Sequence, residues 1–197
     1  DDVLLNADTT ATNNINADGA TIATSTAGKA HWLLGFDGLI HLPLVDNTGQ
    51  RNDRNGAIDA AAVYNRALTL LAKYAAPQVR GDVVFFSDVR TAIRSLVMSE
   101  VITLEKYGSR ATIVSGELGS VFGTPLIMSE QMVLADTDGL VTDSGNVTAT
   151  GRVLAVNTTQ WRVGFRRGIT VEPDREPGKG QTTIYVSMRP ALVARGT

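Results

Sequence analysis

Residues 151–195 read GRVLAVNTTQWRVGFRRGITVEPDREPGKGQTTIYVSMRPALVAR, and this stretch decides the fold. Trp161, Val163 and Phe165 alternate with Arg162, Gly164 and Arg166, the period of two that marks a strand with one face covered. Ile184, Val186 and Met188 alternate in the same way with Thr183, Tyr185, Ser187 and Arg189. Between these runs, Glu172 to Gly180 is charged and holds two prolines and two glycines, the composition of a long exposed hairpin connection. The reading predicts antiparallel strands at 153–157, 161–171 and 182–189 in one sheet, with one apolar and one arginine-bearing face. No helical period occurs anywhere in the stretch.

Arg167 conflicts with this pattern. Strict alternation places it on the apolar face beside Val163, Phe165 and Val171, where an unpaired guanidinium would cost several kcal/mol. Two arrangements relieve it. A bulge at Arg167-Gly168 shifts the register, or the side chain reaches the edge of the face and pairs with Glu172 or a neighbouring subunit. Arg162 and Arg166 stay outward in both.

Charge is divided unevenly along the chain. Residues 151–197 carry eight Lys/Arg against three Asp/Glu, a net +5, whereas residues 1–55 carry −4 and residues 56–150 carry −3. Opposite charge at the two ends of one chain suits head-to-tail contact between copies. Arg162, Arg166, Arg167 and Arg189 are therefore the expected subunit-contact residues, against the plainer reading of a solvated basic face.

The 197 residues are enough for a real core, and 43% hydrophobic with 19% charged residues is a globular composition. No window approaches the ~18 uncharged apolar residues of a membrane span. The absence of cysteine removes disulfides, thiolate metal sites and cysteine nucleophiles together. A net charge of −2 argues against a dedicated nucleic-acid binder. The chain begins Asp-Asp-Val-Leu-Leu-Asn, without Met, a basic region or a signal core, and reads as a processed or truncated product.

Residues 1–30 are rich in Thr, Asn, Ala and Asp, and are expected to form a sparsely packed polar extended segment. His31 to Val45 is the opposite, eight large apolar groups around Gly35 and Gly38, and reads as a buried loop leading into a short strand. Ala60, Val63, Tyr64, Ala67, Leu70, Leu71 and Tyr74 follow helical spacing and predict a helix over 57–74, closed by Pro77. Val83-Val84-Phe85-Phe86 has the form of a strand buried on both faces. Ser87 or Asp88 caps a second helix, with Val89, Ile93, Leu96 and Val97 on one face. Strands are predicted at 112–114 and 122–128, the latter through a turn at Gly123-Thr124-Pro125, and an acidic loop at 136–145. The fold class is α+β: a mixed helix/sheet lobe over 31–135 and an antiparallel-sheet lobe over 136–197.

Catalytic and ligand-binding motifs come up short. His31, His41 and Asp37 share the apolar stretch and raise a metal or acid/base site, yet two histidines and one aspartate in a loop read more simply as satisfied loop residues. Pro177-Gly178-Lys179-Gly180 lacks the helix that a phosphate loop requires and reads as a hairpin tip. Asp136-Thr137-Asp138-Gly139 is close to a calcium loop, with its glycine misplaced and no terminal glutamate. Arg80-Gly81-Asp82 feeds an apolar strand, which explains it better than adhesion does. Asn146 and Asn157 open glycosylation sequons in a chain without a secretory signal. No nucleophile–base pair stands out, and no catalytic residue, cofactor or metal is expected.

Three segments together resemble the major capsid protein of tailed bacteriophages, a fold shared with encapsulin shells. Asp2-Val3-Leu4-Leu5-Asn6-Ala7-Asp8 is similar to the segment after that family's spine helix, which usually has Gly at the place of Ala7. Ser109 to Gly116, with Phe122-Gly123-Thr124-Pro125-Leu126-Ile127-Met128 continuing to Met132, resembles a strand–turn–strand near the end of its axial domain. Gly151 to Arg195 resembles the sheet of its peripheral domain. The resemblance implies an axial-type lobe over 31–135 and a peripheral-type lobe over 136–197. It also implies a structural subunit of an icosahedral shell around double-stranded DNA, assembled in the host bacterial cytoplasm and located in the virion. Its partners would be copies of itself in pentamers and hexamers, with at most non-specific DNA contact and no membrane. The family's N-terminal arm, extended loop and spine helix have no counterpart here. An encapsulin-like compartment is the nearest alternative, and a bacterial surface or adhesin domain is the alternative of another class.

Overall fold

The computed structural model describes residues 2–10, 13, 15, 32–54, 62–71, 80–95, 101–102, 117–132 and 151–194. The chain divides into two compact units, Asp1–Gln160 and Trp161–Thr197. Helices, a mixed sheet and an antiparallel hairpin make the fold α+β.

Among the described residues, the first unit holds five strands: β1 (Val83–Ser87), β2 (Val101–Ile102), β3 (Glu117–Val121), β4 (Thr124–Met128) and β5 (Val153–Asn157). Their order across the sheet is β2-β3-β4-β1-β5, with β1 parallel to β4 and antiparallel to β5. The period of two sends Phe85 to one face of β1 and Phe86 to the other. Each face has its own core. Tyr64, Phe85, Val121 and Leu126 form one, closed by Ala67 and Leu68 of the Ala62–Thr69 helix. Leu5, Ile15, Ile40 and Met132 form the other, with Phe86 and Leu154 against them. A strand covered on both sides is what the Val83–Phe86 run predicts. The rings of Tyr64 and Phe85 meet edge to face at 5.0 Å and 72°.

β5 corrects the first reading, which grouped 153–157 with the hairpin. It pairs instead along all of β1, from Val83↔Asn157 to Ser87↔Val153. Its alternation supplies both cores at once, Val153 and Ala155 to one and Leu154 to the other. The Thr158–Gln160 turn then ends the strand, with Thr158 Oγ1 donating to Asp82 O at 3.1 Å.

Of the polar segment over 1–30, residues 16–30 lie outside the described residues, and those after Asp1 pack more closely than their polarity predicts. Asp2–Asn6 forms a short helix, and Leu5, Asn6, Ala7, Asp8 and Ile15 are buried. The reason is backbone pairing: Gly38 N donates to Ala7 O at 2.7 Å, Leu39 N to Leu4 O at 2.9 Å and Ile40 N to Leu5 O at 3.1 Å. The approach is close enough that a Cβ on Gly38 would lie 2.7 Å from Leu5 O. Gly38→Ala is expected to lower stability by about 1–3 kcal/mol, read as a shift of the denaturant midpoint.

Three further expectations change. Residues 32–46 contain no strand: a 3-10 turn at Trp32–Leu34 is followed by a π-helical turn at Leu42–Asp46, closed by Asn47 N donating to Leu42 O at 2.8 Å. The β3–β4 turn is Phe122-Gly123, at φ 53° and 74°, so Thr124 and Pro125 begin β4. The Val89–Ser95 helix buries Thr91, Ala92 and Ser95, leaving Val89 and Ile93 exposed. Polar bonding sets that orientation. Asp88 Oδ1 accepts from Thr91 N at 2.8 Å as the cap, and Ser95 Oγ donates to Thr91 O at 2.8 Å while meeting the Tyr64 hydroxyl.

Burial is the main reason the Tyr64 phenol is pushed above its ordinary 10.0; the Ser95 bond lowers it and the Asp88 charge raises it. Above that ordinary value the unfolded chain loses the phenolic proton first. Stability therefore falls as pH rises above 10.0, and Tyr64→Phe flattens the fall in urea titrations.

The helix ends at 57–61 and 72–74, Pro77, Leu96 and Val97, the strand at 112–114, the loop at 136–145, Asn146 and His31 lie outside the described residues.

Candidate functional site

The second unit is a long hairpin, β6 (Trp161–Glu176) against β7 (Gln181–Ala194). Its tip is Pro177 to Gly180, where Lys179 N donates to Glu176 O at 3.1 Å and Gly180 takes φ 63°. The lysine of the false phosphate loop pairs with Glu176 at 2.8 Å.

Cross-strand partners share a face, so the register sorts the side chains. One face carries Val163↔Leu192, Phe165↔Pro190, Val171↔Val186 and Pro173↔Ile184. The other carries Arg162↔Val193, Arg167↔Arg189, Glu172↔Tyr185 and Asp174↔Thr183.

Arg167 is on the polar face because the register shifts twice, between Phe165 and Arg167 and again between Arg167 and Thr170. Each shift adds one residue to β6. The first turns Arg167 away from Phe165, and the second returns Val171 to the apolar side. Gly168 lies within the second shift, where nothing approaches within 4 Å of its Cβ position. Arg167 Nη2 also donates to Glu172 Oε1 at 3.1 Å. The register shift is thus the arrangement that relieves Arg167, and the pair with Glu172 forms on the polar face rather than at the edge of the apolar one. The ion pair is exposed and contributes less than about 1 kcal/mol; the bulges do the larger part.

The structure brings Arg167 and Arg189 directly opposite one another and places Arg162 on the same face. Arg166 is the extra residue of the first bulge and has no cross-strand partner. All four arginines are exposed.

The apolar face departs from the expectation of a half-buried strand. Phe165 is 61% exposed, Val171 57%, Ile184 62% and Val186 66%. A hairpin has no second layer of its own, and the two strands alone cannot bury the face that their sequence makes apolar.

Among the described residues a second cluster is more compact. His41 is buried, with Nδ1 3.3 Å from Asp8 Oδ1 and 3.6 Å from Asp37 Oδ1, and Nε2 3.3 Å from Asp46 Oδ1. Sequence reading paired His41 with Asp37 but missed Asp8, which only the pairing of residues 4–7 with 38–40 brings within reach. It also missed Asp46, which the π-helical turn returns to His41. Asn157 is buried, its Oδ1 accepting from Thr159 N and Oγ1 at 3.1 and 2.8 Å, so this sequon serves a turn. The tripeptide at Arg80 is a 3-10 turn feeding β1. No helix among the described residues is long and apolar enough to cross a membrane.

No protein-family model and no curated protein matches the chain. Among solved structures, it is similar to a chain in the asymmetric unit of the bacteriophage PhiM1 mature capsid, at 10% identity and a TM-score of 0.43. The match covers 68% of this chain and 43% of that capsid chain, so the chain spans less than half the phage protein's length.

Proposed function

We propose that the chain is a structural subunit that assembles with copies of itself into a shell of the bacteriophage capsid kind, enclosing double-stranded DNA. The observation that carries the reading is the bare apolar face of the β6–β7 hairpin. An isolated two-stranded hairpin is marginal in water, and a contiguous exposed apolar face rimmed by charge marks a protein interaction surface. Its role is to be covered on assembly.

Charge favours a second copy as the cover. Trp161–Thr197 carries seven Lys/Arg against three Asp/Glu, a net +4, while residues 1–160 carry −6. The hairpin of one copy is therefore attracted to the first unit of the next. Arg162, Arg166, Arg167 and Arg189 guide that approach from the polar face and its bulge. The shell form rests on the sequence resemblance, carried by the order of its three segments.

Electron microscopy of the natural protein after expression tests the reading. Closed particles are expected from the unaltered chain, and none from Arg162→Glu with Arg166→Glu, whose circular dichroism stays unchanged. Normal particles from that double variant would overturn the role given to the arginines. A chain that stays monomeric at every concentration would overturn assembly itself.

A further inference from the structure

We propose that Asp8, Asp37 and His41 bind one divalent transition-metal ion, with Zn²⁺ the best match to the donor set. Their ligand atoms all lie within 4.8 Å of one another. Around an ion with bonds of about 2.0–2.1 Å, tetrahedral geometry puts neighbouring ligands ~3.3 Å apart. The separations from His41 Nδ1, 3.3 Å to Asp8 Oδ1 and 3.6 Å to Asp37 Oδ1, are of that size.

A second observation is independent of the spacing. His41 and Asp8 are only 5% and 6% exposed, yet His41 Nδ1 and Asp8 Oδ2 make no hydrogen bond. Buried polar atoms are ordinarily satisfied, and orphans of this kind call for a missing partner. Asp8 Oδ1 is close to Nδ1 but off the line a ring proton would need. Ligands around a shared ion sit off that line, whereas the acceptor of an N–H does not. Two carboxylates and a neutral imidazole also sum to the charge that a dication cancels. No Lys or Arg pairs with Asp8 or Asp37 among the described residues.

The surrounding bonds hold the donors in that arrangement. Asp46 Oδ1 faces His41 Nε2 at 3.3 Å; a proton held there leaves Nδ1 as a free lone pair, the carboxylate–histidine–metal relay of many zinc sites. Asp37 Oδ1 accepts from Thr9 N and Oγ1 at 2.9 and 2.8 Å. Asp8 Oδ1 accepts from Thr10 N and Asn13 Nδ2 at 2.7 and 3.1 Å, leaving Oδ2 as a further oxygen for the ion. The Asp37 side chain is 44% exposed and gives the ion its way in and room for a water ligand. The ion would tie the segment after the first helix to the loop before the π-helical turn, a structural role distinct from assembly.

Isothermal titration of the chelator-treated full chain with ZnCl₂ tests the site. One ion per chain is expected. Asp37→Asn and His41→Gln should each weaken binding at least tenfold, and Asp46→Asn by about 10–100-fold, as outer-shell partners do. Asp37 is exposed, so its amide leaves the metal-free fold unchanged by circular dichroism. Co²⁺ should give visible absorption in the unaltered chain that Asp37→Asn loses. No saturable Zn²⁺ binding would overturn the proposal, as would equal binding by Asp37→Asn and the unaltered chain. A preference for Ca²⁺ over Zn²⁺ would overturn the imidazole's place among the ligands.

Discussion

Replacing Phe165 and Val186 together by aspartate is expected to abolish self-association while leaving the chain folded. Both side chains are on the apolar face of the hairpin and more than half exposed, so neither contributes much to the fold of its own unit. In an assembled state the same positions would be desolvated. An apolar anchor at the centre of an interface contributes about 2 kcal/mol or more, and an unpaired buried carboxylate adds a further penalty. Two such changes exceed ~4 kcal/mol, close to a thousandfold in association constant. Sedimentation velocity across a concentration series reads this directly. Association unchanged within threefold would mean that this face is not the contact.

The largest expected effect on folding is that of Phe85→Ala. Phe85 is fully buried, is flanked by Leu126 of β4 and Ala155 of β5, and meets the Tyr64 ring edge to face. Truncating it leaves a cavity that a central strand, held on both sides, cannot collapse. The loss is expected to be about 3–5 kcal/mol, against total stabilities of about 5–15 kcal/mol for domains. Urea unfolding should show the midpoint falling with little change of slope. A loss below about 1 kcal/mol would show that the sheet does not hold this core. Phe165→Ala is the internal control, expected to change folding stability by less than about 0.5 kcal/mol, because its ring is already in solvent.

Much of this architecture was legible because hydrophobic period is a local property. The 3.6-residue spacing around Tyr64 and Ala67 marked the helix on the sheet, and Val83–Phe86 marked a strand covered on both faces. The alternation from Trp161 and from Ile184 marked the hairpin. Even the bulge at Arg167 could be anticipated, because a charged residue in an apolar register must be relieved somewhere.

What escaped depends on partners distant in sequence. Residues 153–156 are a continuous apolar run, Val-Leu-Ala-Val, which marks a strand but not its partner, and only pairing with β1 assigns them to the first sheet. Val89 and Ile93 of the Val89–Ser95 helix face out, because bonding among Asp88, Thr91, Ser95 and Tyr64 fixes the other side inward. Polar composition hid the packing of residues 4–8, whose order comes from backbone pairing with 38–40. Asp8 is 29 and 33 positions from Asp37 and His41, and no spacing rule joins them.

In the proposed assembly the apolar face of the hairpin is covered by another copy of the chain. Because the sequence contains no cysteine, Met188→Cys on that face supplies the only thiol. Maleimide labelling can then be timed at dilutions where the chain is monomeric and at concentrations where it assembles. Rapid labelling of the monomer and at least tenfold slower labelling in the assembly are expected. Equal rates in the two states would contradict that arrangement.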